Sequence, residues 1–190
     1  MPISFPIDTR LKDGSAMRLA LADTNDGEPL RRLYRVIVEE GTSYPHERVP
    51  PDDEFQAYWF GGCGTVVASV PNRPGAPELA GAYYLKANWP GRAGHVANAG
   101  FIVAPAWRRK GLGRLLGQTM LDHARALGFR SVIFNLVFAE NRVARRLWGQ
   151  LGFRELVAVP EAVRNNDGTF QDAVIMFRSL GDDSDRTDRP

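Results

Sequence analysis

Phe101-Ile102-Val103-Ala104-Pro105-Ala106-Trp107-Arg108-Arg109-Lys110-Gly111-Leu112-Gly113 is the stretch on which the fold turns: an apolar run, a proline stop, a basic turn and two glycines. Val96 to Val103 reads as a strand that Pro105 ends. From Gly111 to Leu127 the residues Leu112, Leu115, Leu116, Thr119, Met120 and His123 recur at helical spacing, and Gly128 supplies the C-terminal cap. A strand that feeds a helix through such a turn points unpaired backbone N–H groups, and the positive end of the helix dipole, at one spot. That spot suits a phosphate or pyrophosphate, and Gly111 and Gly113 carry no Cβ to obstruct it. Taken alone, R-x-x-G-x-G is equally a basic helix cap packed tightly on its strand.

Working outward, Ser131 to Phe138 reads as a buried strand, Asn141 to Leu151 as a helix closed by Gly152, and Phe153 to Val159 and Ala173 to Arg178 as further strands. Upstream, Ala16 to Ala22 is a short strand. In Glu28 to Glu40 the residues Leu30, Leu33, Tyr34, Ile37 and Val38 share one helical face, and Gly41 ends the helix. A second helix is expected over Asp52 to Phe60, and two strands over Thr65 to Val70 and Leu79 to Ala87, joined through Pro71 to Gly75. The loop Thr42 to Pro51, with three prolines, Tyr44 and His46, is placed to overhang a site. Beyond Leu180 the residues are nearly all charged or small, so a single domain over 1–180 is expected, followed by a disordered tail over 181–190.

Composition narrows the function. A chain of 190 residues suits one domain, against a typical size of about 150. Its 24 Lys and Arg nearly balance 22 Asp and Glu, which gives no bulk reason to expect nucleic acid or an anionic membrane as partner. The basic clusters Arg108 to Arg114 and Arg142 to Arg146 lack the interleaved aromatics of a nucleic-acid surface. No G-x-x-x-x-G-K-[ST] occurs. One cysteine, Cys63, and three scattered histidines give neither a disulfide nor the makings of a metal site, so no metal is expected. With no leader pattern, and no apolar run near the ~18 residues of a membrane span, a cytoplasmic location is expected.

The second informative stretch runs from Phe134-Asn135-Leu136-Val137-Phe138 through Asn141-Arg142-Val143-Ala144-Arg145-Arg146-Leu147-Trp148-Gly149-Gln150-Leu151-Gly152-Phe153. Its N-x-x-A-x-x-L-W-x-x-L-G-F block, at this distance from the R-x-x-G-x-G turn, resembles the Gcn5-related N-acetyltransferase family. The resemblance implies an α/β fold: a mixed central sheet of about six or seven strands that splays between two parallel strands, flanked by about four helices. It implies acetyl-CoA as co-substrate, a small-molecule amine as acceptor, direct attack in a ternary complex, and a homodimer. By position, Phe101, Ile102 and Val103 would accompany the pantetheine arm. Arg108, Arg109, Lys110, Gly111, Leu112, Gly113 and Arg114 would hold the pyrophosphate, and Asn141 and Trp148 would lie against the cofactor near the thioester.

Two departures stand out. Many members carry a tyrosine where this chain has Trp148, and an indole cannot protonate a departing thiolate, which makes Trp148 a packing residue. The strand that commonly offers a glutamate reads His95-Val96-Ala97-Asn98-Ala99-Gly100 here. H-V-x-N-A-G-F and F-N-L-V-F-x-x-N are also similar to the fungal acetyltransferases that detoxify azetidine-2-carboxylate and act on proline-like imino acids. That likeness implies that Asn98 and Asn135 orient the acceptor and guide its proton to water, while Asn141 supports the thioester. The alternative for Asn98 and Asn135 is an inter-strand hydrogen bond. Tyr44 is a further acceptor-contact candidate. His95 is a base or a plain surface residue, His123 a packing residue, and Cys63 lacks a neighbouring base. Tyr83 and Tyr84 face opposite sides of one strand, so one of them meets the core or a site. The other readings are a non-catalytic acyl-CoA-binding module, or transfer to a protein N-terminus or an antibiotic.

Overall fold

Leu79–Ala87 is buried without interruption from Leu79 to Leu85, so this strand needs cover on both faces, and the fold supplies it. The computed structural model describes residues 3–71 and 78–181. Its strands are β1 (Ile7–Arg10), β2 (Ala16–Leu21), β3 (Gly64–Ser69), β4 (Leu79–Ala87), β5 (Val96–Val103), β6 (Ser131–Phe138), β7 (Arg154–Arg164) and β8 (Phe170–Ser179). Its helices are α1 (Gly27–Glu40), α2 (Asp52–Phe60), α3 (Leu112–Ala126) and α4 (Arg142–Gln150). One sheet holds all eight strands in the order β1-β2-β3-β4-β5-β6-β8-β7. Among the described residues β5 and β6 pair in parallel, and every other neighbouring pair is antiparallel.

Two apolar clusters sandwich the sheet. On one face Tyr83 and Leu85 of β4 pack with Leu112, Leu116 and Met120 of α3 and with Trp148 of α4. On the other, Ala82 and Tyr84 pack with Leu30, Leu33, Tyr34 and Ile37 of α1 and with Phe55 and Trp59 of α2. The expected mixed α/β architecture with four helices is therefore present. Helix α1 buries the face that its spacing marked out and stops at Gly41, whose φ of 65° is the left-handed cap that glycine adopts most readily. Helix α2 opens with Asp52, Asp53 and Glu54, which complement its dipole.

The sheet has eight strands where six or seven were expected, and both differences lie toward its edges. β1 has four residues that alternate between Ile7, Asp8, Thr9 and Arg10, too short and polar to register as a strand, yet it pairs with β2 and ties Asp8 to Arg18 at 2.9 Å. β7 continues past Val159 to Arg164, and β8 begins at Phe170. Pro160 would end an inner strand. On an edge its missing N–H costs no ladder bond, and a register shift between Val159 and Val163 takes up the disruption. The expected tail from 182 onward, and the turn from Asn72 to Gly75, lie outside the described residues.

Trp148 locks α4 to the sheet. It is 7% exposed, and its ring centroid lies 4.7 Å from that of Phe101 and 4.9 Å from that of Phe134, while Phe134 stacks on Phe153 at 4.4 Å. Trp148→Ala should lower the unfolding free energy by about 3–5 kcal/mol, and Trp148→Phe by less than about 2 kcal/mol, read as midpoint shifts in urea.

Candidate active site

The site begins where a ladder stops. β5 and β6 are in register only at Val96 with Ser131 and Ala97 with Val132, after which they diverge. The last bond across the gap comes from a side chain: Asn98 donates its Nδ2 to the carbonyl of Ile133 at 3.0 Å. Asn88 N bonds Val96 O and Ala104 N bonds Ala80 O, so even-numbered residues of β5 turn their backbone groups toward β4. The backbone groups of Ala99, Phe101 and Val103 then face the gap, while those of Ile102 do not. Across the gap, β6 carries a bulge between Phe134 and Val137, which takes Asn135 and Leu136 out of register with β8.

A cavity of about 360 Å³ fills the gap. Asn98, Gly100 and Phe101 line it from β5, Phe134 and Asn135 from β6, and Asn141 and Trp148 from α4 and its start. The α1–α2 loop roofs it with Ser43, Tyr44 and Pro45, and Tyr58, Tyr84, Lys86 and Asn88 complete the wall. Gly100 is required here, because a Cβ would lie 2.4 Å from the Tyr84 ring and 2.7 Å from the Tyr44 hydroxyl. Two of the residues that line the cavity carry a buried polar atom with no hydrogen-bond partner, Tyr44 Oη and Asn88 Nδ2. Tyr84 donates to Tyr58 Oη at 3.2 Å, and Tyr34 meets His46 Nδ1 at 2.5 Å. Burial holds the Tyr44, Tyr84 and Tyr34 phenols well above their ordinary range, with neighbouring tyrosines adding to the effect, and pushes Tyr58 up to about 12. All four are therefore protonated donors at neutral pH, and among the described residues no carboxylate lines the cavity.

The three asparagines meet at this cavity and each also has a structural bond. Asn98 closes the ladder, as described. Asn135 donates to Asn88 Oδ1 at 2.6 Å. Asn141 caps α4 by accepting from Ala144 N at 3.0 Å, and its Nδ2 reaches Thr42 O at 3.5 Å. The inter-strand bond weighed for Asn98 is thus present, on a residue that also lines the cavity.

The basic turn lies at the start of α3. Gly111 is its N-cap with a φ of 92°, and no side chain caps the first N–H groups. Arg109 adopts a φ of 63°, a strained conformation for a non-glycine residue that curls the turn around its own N–H groups. Arg108 is held by Glu40 at 2.6 Å and Lys110 by Asp13 at 3.7 Å, while Arg109 and Arg114 take no part in those ion pairs. The uncapped helix start, the exposed arginines and the glycines fit a pyrophosphate. Among the described residues no cluster of three or more His, Cys, Asp or Glu could hold a metal, and no helix is long and apolar enough to cross a membrane.

Elsewhere, Tyr83 faces α3 and meets His123 Nδ1 at 3.1 Å, so Tyr84 is the tyrosine of the pair that faces the cavity. His95 and Cys63 are exposed and line no part of it. The sequence reading missed Tyr58, Lys86 and Asn88. The signal for the last two was present: they follow Tyr84 at two-residue intervals, which in a strand means the same face.

Comparison with known proteins agrees with this geometry. The model of the Acetyltransferase (GNAT) family matches residues 30–153. The chain is 37% identical over 139 residues to N-acetyltransferase aca1 of Schizosaccharomyces pombe, a match covering 67% of this chain and 66% of that protein. It therefore spans slightly less than two thirds of that relative's length. Among solved structures, a GCN5-related N-acetyltransferase from Kribbella flavida superposes with a TM-score of 0.78 at 32% identity, over 86% of this chain and 97% of that one. A phosphinothricin acetyltransferase from Sinorhizobium meliloti, solved in complex with AcCoA, gives 0.76 at 25% identity, over 87% and 89%.

Two outcomes follow from the buried phenols. Tyr44→Phe removes an unpaired buried oxygen, so it should leave the ligand-free protein as stable as before or up to about 1 kcal/mol more stable in urea. Because folding raises the tyrosine pKa values, their contribution is complete below the ordinary phenol pKa near 10 and is lost as pH rises above it toward the folded values. Unfolding free energy should accordingly fall above about pH 10, and less steeply in Tyr84→Phe.

Proposed function

The chain belongs to the acetyltransferase (GNAT) family, and from that premise we propose that it transfers the acetyl group of acetyl-CoA to the amine of a small molecule, an amino or imino acid of the proline-analogue type. The observation that carries this reading is the splay after Ala97 and Val132, which opens a cavity of about 360 Å³ beside β5, the strand whose end leads through the basic turn into the uncapped start of α3.

The residues divide the work. Arg109, Arg114 and the N–H groups of Leu112, Gly113 and Arg114 hold the pyrophosphate, with Arg108 and Lys110 fixing the turn from behind through Glu40 and Asp13. Backbone groups of Phe101 and Val103 bond the pantetheine arm, and the Phe101 and Trp148 rings flank its thiol end. Acetyl-CoA supplies the activated thioester. A backbone N–H of β5 at the mouth of the gap steadies charge that develops on the acyl oxygen, an effect worth roughly 3 kcal/mol in comparable sites. Asn98 and Asn135 orient the acceptor so that its neutral nitrogen faces the thioester, and pass its proton to water. Asn141 holds the start of α4 against the acyl group. Placement of the two reactants is the main catalytic device, since the described residues that line the cavity include no carboxylate. A cytoplasmic location and a homodimer belong to the same reading.

The test is release of CoA thiol from acetyl-CoA by the purified protein against azetidine-2-carboxylate, cis-4-hydroxyproline, other amino acids, polyamines and aminoglycosides. Release with imino acids supports the full reading. Release with another amine keeps the enzyme and removes the acceptor assignment, and tight acetyl-CoA binding without release favours a non-catalytic module. With no protein base in the cavity, kcat/KM should rise with pH as the free-amine fraction of the acceptor grows. Its midpoint should move with the acceptor's own pKa; a midpoint common to all acceptors would reveal a protein base.

A further inference from the structure

We propose that Lys86, with Asn88 beside it, anchors a carboxylate on the acceptor and thereby sets the enzyme's selection of anionic over cationic amines. This rests on the acetyl-transfer reading above and deepens it. Among the described residues that line the cavity Lys86 is the only one with a formal charge, and the remainder are aromatic, apolar or neutral and polar. A polyamine or aminoglycoside would meet a like charge there and no acid to offset it, whereas a carboxylate would meet its complement.

The placement of Lys86 is specific. Its backbone is the cross-strand partner of Asn98, so the two side chains rise from neighbouring positions on one face of the sheet. Its ammonium lies 5.2 Å from the Tyr84 ring centroid and 5.4 Å from that of Tyr58, and it takes part in none of the ion pairs that hold the other cavity-side loops. The two tyrosine rings fix the long side chain, and their phenols, kept protonated by burial, add no negative charge that would neutralise it.

A second observation points the same way. Asn88 spends its Oδ1 on Asn135, and its Nδ2 is buried with no partner. A buried donor without an acceptor is costly, and this one belongs to a residue that lines the same cavity two positions along from Lys86. Tyr44, 8% exposed and part of the roof, carries an equally unpartnered buried hydroxyl. An ammonium, an amide N–H and a phenol O–H make a set of donors, which calls for an acceptor-rich ligand group such as a carboxylate.

The experiment compares azetidine-2-carboxylate, azetidine-2-carboxamide and spermidine as acceptors for the wild type, Lys86→Gln and Lys86→Arg, with acetyl-CoA saturating. Urea unfolding of each variant verifies that the fold is kept. The wild type should prefer the carboxylate to the carboxamide in kcat/KM. Lys86→Gln should raise the KM for the carboxylate by roughly tenfold to a hundredfold, with kcat changed much less. It should leave the carboxamide nearly unaffected, and Lys86→Arg should recover most of the loss. A purely structural role for Lys86, holding Tyr58 and Tyr84, would penalise both acceptors equally and overturn the proposal. So would a wild type that acetylates spermidine or the carboxamide as well as the acid, although that result would leave acetyl transfer standing. Absence of turnover with every amine would overturn acetyl transfer itself. The anchor would then be judged by calorimetric binding of azetidine-2-carboxylate to the CoA-saturated protein, and is refuted if wild type and Lys86→Gln bind it alike.

Discussion

The early end of the β5–β6 ladder is the constraint on which everything else depends. Two parallel strands that begin in register have every energetic reason to continue, because each further pair would satisfy backbone groups on both sides. Here two side chains oppose that closure. The Asn98 amide replaces the next backbone donor on Ile133, and the Trp148 indole packs against Phe101 and Phe134, one ring from each of the diverging strands. The gap is thus held open by packing and by one hydrogen bond. The exposed backbone of Phe101 and Val103, the cavity, and the approach from the start of α3 all follow from it.

Much of this architecture was legible because it is periodic. The helices announced themselves by apolar spacing and by glycines at their ends, and the inner strands by continuous β-branched and aromatic runs. What escaped was marginal in a physical sense. β1 has too few residues to show a period, and β7 crosses Pro160, which disrupts an inner strand but is harmless on an edge. At the site, the family resemblance singled out Asn98, Asn135 and Asn141, and all three line one cavity. The sequence offered ligand contact and an inter-strand bond as alternatives for Asn98 and Asn135, where the fold combines a structural bond with a place on the cavity wall, and it did not reveal that the Arg108 guanidinium is held by Glu40. Tyr58 was unreadable for a different reason: its meaning depends on α2 lying over the end of β4, a contact between distant parts of the chain, whereas the place of Lys86 two residues after Tyr84 could have been read from the strand alternation.

The chemistry of the cavity is unusual for what it omits. Among the described residues that line it, the phenols are locked in the neutral form, the one charge is a cation, and the other polar side chains are amides and the Ser43 hydroxyl. Such a lining can hold, orient and exclude, but it cannot accept a proton across the physiological range. Reactivity must then come from the reactants, brought together at the right angle.

The roof of the cavity gives this a further meaning. The segment from Thr42 to Pro50 is fastened at four points: Thr42 to Asn141, His46 to Tyr34, Glu47 to Arg164, and Pro50 to Arg31. Two of these join residues 99 and 117 positions apart, so a cover contributed by the first quarter of the chain is secured by its last third. A roof stitched down in this way is no jaw that shuts on its ligand, and the entropy of ordering it is lost during folding, not at each binding event. The same stitching makes the pocket a late product of synthesis. Until the β7–β8 hairpin has emerged, β6, which forms one wall of the chamber, lacks its partner β8, and the roof lacks its tie from Glu47 to Arg164.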